Sequence, residues 1–167
     1  MSASSTRSLF RQLQRAAAAL LVTATTACFG NDAVNTGAPS NPAVDVYAAS
    51  LGVKIATMTK KNDNLYYQDR VVGTGAEAVT GRTLQMVYTG WLVNASKFDS
   101  NVGGNLFSFR LGLGEVIPGW DQGILGMKVG GKRRIVIGSS LAYGSGGQGP
   151  IPPNATLVFD VELKAVQ

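Results

Sequence analysis

The sequence predicts an α+β fold in which a curled antiparallel β-sheet wraps around one short α-helix. Three observations predict it. Several short segments alternate apolar and polar residues with period two, the mark of half-buried strands. One segment alone carries helical spacing behind an initiating proline. The 167 residues, 45% hydrophobic with 21 glycines and 6 prolines, suffice for one domain with a real core and many turns.

In chain order, residues 1–27 read as a signal peptide. Arg7, Arg11 and Arg15 stand in a polar leader without a carboxylate, and the apolar run Ala16–Ala27 follows. That run is about half of the roughly 20 residues that cross a bilayer. Residues 28–52, rich in Asn, Ala, Gly, Ser and Pro, have no period and read as a flexible tether. The folded domain is expected over 53–167. Val53–Thr59 and Leu65–Val72 flank the turn-prone Lys60–Asn64 as a hairpin, and Leu84, Met86 and Tyr88 share one face of a strand over Thr83–Leu92. Phe107, Phe109 and Leu111 share a face over Leu106–Leu111. Ile135 and Ile137 do so over Lys132–Gly138, as do Leu157, Phe159, Val161 and Leu163 over Thr156–Val166. The spacing of Trp120, Ile124 and Met127 predicts a helix over Pro118–Lys128, whose glycines at 119, 123 and 126 make it dependent on the sheet beneath it.

Composition excludes several chemistries. With no histidine and one cysteine, the chain has no His-based triad, no Zn–His site, no CxxC redox pair and no internal disulfide. The net charge of +5 owes three of its 15 basic residues to the leader. The remaining 12 face 10 acidic residues, a net of +2, which argues against a nucleic-acid partner. Gly73-Thr-Gly75-Ala-Glu-Ala78 matches a dinucleotide-binding string but opens no helix. Gly144–Gly149 lacks the ending of a phosphate loop, and Lys132-Arg133-Arg134 reads as a solvated strand face. Asp99 and Glu115, each beside an apolar residue, form an acid/base pair if the fold brings them together and otherwise read as turn or capping carboxylates.

Thr25-Thr26-Ala27-Cys28 resembles the bacterial lipobox, in which the cysteine is diacylated and becomes the new N-terminus. Cys28 is then a lipid anchor, and Phe29 after it, not being aspartate, points to the outer membrane of a Gram-negative cell. Ordinary cleavage after Ala24 or Ala27, giving a soluble periplasmic or secreted protein, is the alternative.

Four segments carry a more specific resemblance: Val87–Gly90, Lys97-Phe98-Asp99-Ser100, Gly114–Trp120 and Tyr143–Leu163 with its Ile151-Pro152-Pro153 run. In this order and spacing the chain resembles the FKBP-type peptidyl-prolyl cis-trans isomerases, over roughly Leu65 to Gln167. The resemblance implies the sheet-and-helix fold and a hydrophobic cavity between the two. It implies catalytic roles for Tyr88, Asp99, the backbone N–H of Ile117 and the Tyr143 hydroxyl. It implies a substrate-binding surface of Phe98, Phe107, Val116, Trp120, Ile151 and Phe159, with Trp120 as floor. Proline-containing polypeptides are then the partners and tacrolimus or rapamycin the inhibitors. No metal or organic cofactor is called for, and the membrane is met only through a lipid anchor.

A site without histidine is adequate for this reaction. Rotation about Xaa–Pro moves no proton, and its barrier comes from amide resonance. The isomerase acting on exported proteins has two rivals: a module that binds proline peptides without turnover, and a virulence-associated surface protein. Asn101–Asn105 lacks the arginine that many family members pair with the position of Asp99, and the Gly144–Pro150 loop is a residue shorter.

Overall fold

The computed structural model describes residues 38–167; the leader and Cys28 lie outside them. Seven strands form one antiparallel sheet: β1 (Thr59–Asn62), β2 (Leu65–Val71), β3 (Thr83–Leu92), β4 (Lys97–Ser100), β5 (Phe107–Arg110), β6 (Lys132–Ile137) and β7 (Leu157–Val166). Their order is β1-β2-β6-β7-β3-β4, with β5 also on β3. The helix α1 (Pro118–Ile124) lies on the concave face over a core that includes Leu65, Leu84, Met86, Leu111, Ile124, Ile135, Ile137, Leu157 and Leu163. The expected inward residues of β3, β6 and β7 are the ones that fill this core.

Several boundaries differ from the expectation. The helix ends at Ile124 instead of Lys128, because Leu125 leaves helical geometry and Gly126 turns with φ +81°. The first strand starts at Thr59, so Lys60 and Lys61 are in it and Asp63-Asn64 makes the turn; before it, Ile55–Thr57 is a 3-10 turn. Lys97–Ser100 is a strand of its own, too short to show a period.

Two glycines of α1 act through closeness. A Cβ at Gly119 would stand 2.4 Å from the Ile137 side chain, and one at Gly123 would stand 3.0 Å from that of Ile135. The helix therefore sits nearer to β6 than any side chain on that face allows.

Of the stretch read as a tether, the part from 38 onward is packed. Leu51, with Tyr47, Val53, Ile55 and Met58, joins Tyr66, Val136, Val158 and Trp91 in a second cluster on the convex face of the sheet. Reciprocal bonds between Ser40 and Ser139 (2.7 and 3.2 Å) and Ala48 N–H to the Val93 carbonyl (2.8 Å) fix its course. The strap also buries Arg134, 5% exposed, whose guanidinium donates to the Leu51 carbonyl and to both oxygens of Asp160. Arg133, 6% exposed on the other face, donates to both oxygens of Asp69 and to the Gly123 carbonyl, over the Tyr67 ring. Of the basic run only Lys132 is solvated: each arginine is buried with a carboxylate and a carbonyl partner, as buried charge requires.

Candidate active site

Between α1 and the sheet lies a cavity of about 350 Å³, lined by Tyr88, Phe98, Asp99, Phe107, Glu115, Val116, Ile117, Trp120, Tyr143 and Phe159. Its floor is Trp120, the third residue of α1, 4% exposed. Four rings surround the indole: Tyr88 at 5.1 Å, Phe159 at 5.3 Å, Phe109 at 5.8 Å and Phe107 at 5.9 Å between centroids, three of them edge-on. Such edge contacts hold aromatic groups in fixed orientation beyond what burial supplies. Phe98 meets Phe159 edge-on at 5.5 Å. That contact requires Gly90 on β3, where a Cβ would lie 2.6 Å from the Phe98 ring and 2.8 Å from the Phe159 ring.

The loop from β5 into α1 is held by two carboxylates. Asp121, in the first turn of the helix, accepts from the N–H groups of Gly112 (2.8 Å) and Gly114 (3.0 Å). Glu115 accepts from Arg110 N–H (2.8 Å) and from its guanidinium (2.6 Å), which holds the Glu115 carboxyl below the usual glutamate range. The fixed loop presents Val116 and Ile117 to the cavity. Ile117 is the N-cap of α1: its carbonyl accepts from Trp120, and its own N–H donates to no acceptor among the described residues.

On the opposite wall the Tyr88 hydroxyl donates to Asp99 Oδ2 (2.6 Å), and Asp99 Oδ1 accepts from Ser100 N–H (2.8 Å). Burial first, then this bond and the Asp99 charge, push the Tyr88 hydroxyl far above the ordinary tyrosine range. Tyr143 is pushed up as well, by burial and then by the same charge. Both phenols stay protonated, and therefore able to donate, throughout the neutral range.

Nine of the ten residues expected at this site line the cavity. Ile151 does not: it is 6% exposed in the core, turned inward by the two-bond bridge between Gln148 and Ile151. The fold does bring Glu115 and Asp99 to one cavity, but Glu115 is bound by Arg110 and Asp99 by Tyr88, while Asp121, Arg110 and Gly90 hold the walls without any motif of their own. Glycines at 112 and 114 followed by carboxylates at 115 and 121 are the sequence signal of this loop.

Residues 75–164 match the family model for FKBP-type peptidyl-prolyl cis-trans isomerases. The chain belongs to this family. It is 49% identical over 105 residues to a protein of Neisseria meningitidis serogroup A named FK506-binding protein, covering 62% of this chain and 96% of that one. To FK506-binding protein 4 of Rhizopus delemar it is 50% identical over 111 residues, 66% of this chain but 29% of that one, so it spans under a third of that relative's length. Among solved structures, FkpA from Escherichia coli is similar at a TM-score of 0.63 and 39% identity, covering 71% of this chain and 55% of that one. AtFKBP13 is similar at a TM-score of 0.57 and 43% identity, covering 62% and 93%. The FKBP fold is the sheet and helix described above.

Proposed function

We propose that this FKBP-family chain catalyses cis–trans isomerisation of Xaa–Pro bonds in exported polypeptides. The observation that carries the reading is a cavity walled by aromatic rings, with Trp120 as its buried floor and an uncommitted backbone donor, Ile117 N–H, at its edge. A planar amide is charge-separated and a twisted one is less polar, so an apolar cavity favours the twisted form. Trp120 holds the proline ring while Ile117 N–H and the Tyr143 hydroxyl take substrate carbonyls. Phe98, Phe107, Val116 and Phe159 close the walls, and Asp99 orients Tyr88 without acting as a base. The uncatalysed event takes about 10–100 s, and every 1.4 kcal/mol off the barrier is about tenfold in rate. FK506-type macrolides occupy the same cavity and compete with peptide.

The leader with Arg7, Arg11 and Arg15, the apolar run before Cys28 and the lipobox-like Thr25–Cys28 support export, lipidation of Cys28 and residence at the periplasmic side of the outer membrane. The protein then assists the folding of its exported neighbours.

The relaxation rate of a short Xaa-Pro-Phe peptide, with and without tacrolimus, tests the activity. Acceleration that the macrolide abolishes is expected, and Trp120→Leu should lose it; a folded protein that gives no acceleration removes the isomerase reading in favour of a binding module. Fractionation tests the location. Cys28→Ala should move the protein from membrane to soluble fractions, and a wild type already soluble after export excludes the lipid anchor.

A further inference from the structure

The cavity is lined by two carboxylates and by no basic side chain. They differ in their surroundings. Glu115 is neutralised by Arg110, with guanidinium nitrogens 2.6 Å from its Oε1. Asp99 makes no ion pair among the described residues: its hydrogen-bond partners are the Tyr88 hydroxyl and Ser100 N–H, both neutral. The segment that follows it, Asn101–Leu106, contains no basic residue, and the Asn101 side chain spends its bonds on Tyr88 N–H and on the Met86 and Asn105 carbonyls. Lys97, two positions before Asp99, is exposed and forms no ion pair with it. The field of this charge crosses the cavity, since it bears on the hydroxyls of both Tyr88 and Tyr143.

Asp99 is exposed at the cavity wall, where an uncompensated carboxylate attracts a cation with the moderate strength of a charge pair near a protein surface, still above that in bulk water. Each Asp99 oxygen also keeps acceptor capacity beyond its single bond. Resting on the isomerase reading, we propose that Asp99 is a specificity determinant that selects proline bonds preceded by a lysine or arginine and disfavours those preceded by an acid. With the proline ring on Trp120, the preceding residue is the one whose peptide turns beside the Tyr88–Asp99 wall. An aliphatic stem can follow the Phe98 and Phe107 surface while its charged end reaches Asp99.

The test uses peptides that differ only in charge at the residue before proline: lysine against N-acetyl-lysine, and glutamine against glutamate. At low ionic strength, kcat/KM is expected to be about three- to tenfold higher for the lysine peptide than for its acetylated form, the effect of one unit charge pair at partial solvent exposure. Glutamine should exceed glutamate in the same sense, and both ratios should shrink at 0.5 M NaCl. In Asp99→Asn the lysine ratio should fall toward one, whatever the remaining rate. Equal rates for lysine and acetyl-lysine in the wild type would overturn the proposal while leaving the isomerase intact. No acceleration of any of the four peptides would overturn both.

Discussion

Gly119→Ala sets two effects of opposite sign against each other. At an exposed helical position, alanine in place of glycine stabilises by about 0.8–1 kcal/mol through reduced backbone entropy. At this position the new methyl would lie 2.4, 2.8 and 3.0 Å from three carbons of Ile137, whereas ordinary contact begins at 3.4 Å. The shortfall is about 1 Å against a side chain that is fully buried, on a strand paired with β2 and β7 on its two sides. Overpacking of this kind costs about 1–3 kcal/mol. The contact is far inside the ordinary limit, so the clash outweighs the propensity gain, and a net loss of up to about 2 kcal/mol is expected, a fall of up to about 8 °C in Tm for a domain of this size. Gly123→Ala provides the graded control: its nearest contact is 3.0 Å, so the two effects should nearly cancel. Urea titration of wild type and both variants, monitored by far-UV circular dichroism, measures the order. Because Trp120 is the next residue, lifting the helix also displaces the cavity floor, and Gly119→Ala should lose activity beyond its loss of stability. A Gly119→Ala protein more stable than wild type would mean that the helix does not depend on close approach to β6.

Gly90→Ala should drive apart the Phe98 and Phe159 rings, and a peptide-isomerisation assay should record about a tenfold or greater loss of kcat/KM with the fold retained; unchanged activity would show that the ring pair does not shape the site. Activity should be level from about pH 5.5 to 9 because no histidine is present and both site tyrosines titrate above their ordinary range. At acid pH the depressed Glu115 carboxyl sets the sign: its hold on Arg110 is complete above the unfolded glutamate value of about 4.3 and is lost as pH falls through the lower folded value, so KM should rise only below about pH 4. Asp45 has the opposite sign. Its Oδ2 is buried without a well-formed hydrogen bond and burial pushes its carboxyl up, against a smaller pull from the Thr156 hydroxyl, so Asp45→Asn should be more stable than wild type at pH 7 and not at pH 3, as compared by thermal melts. A chain starting at Thr59 loses the strap and exposes Tyr66, Trp91, Val136 and Val158; losing the burial of Leu51 alone costs about 1.5–3 kcal/mol, and the truncated protein should aggregate at concentrations where the full chain stays soluble.

The long strands were legible because period-two alternation over ten residues, as in Leu157–Val166, leaves one register that buries Leu157, Phe159, Val161 and Leu163 together. The cavity was legible through the family's four segments, whose aromatic residues converge on Trp120. What could not be read depends on contacts distant in sequence. Arg133 and Arg134 look like a solvated pair until β2 brings Asp69 and the strap brings the Leu51 carbonyl. Residues 38–52 have no period because they cross the sheet as a strap, touching it at separated points such as Tyr47 and Leu51 instead of along a regular face. Ile151 was placed in the wall by the family resemblance alone; its side chain packs in the core, next to the bridge it forms with Gln148.

The order β1-β2-β6-β7-β3-β4 leaves β7 as the seam of the sheet. It pairs with β6 on one side and β3 on the other, and it is the last strand to be synthesised. Before it arrives, β1, β2 and β6 on one side and β3, β4 and β5 on the other have no bonds across the gap. The floor and walls of the cavity cannot close, because Phe159 comes with the seam. Folding of this domain therefore waits for β7, is set by contacts of long sequence separation, and is slow on that account. A nascent chain that has not yet made Leu157–Val166 remains without its native core and is exposed to proteolysis until that strand emerges.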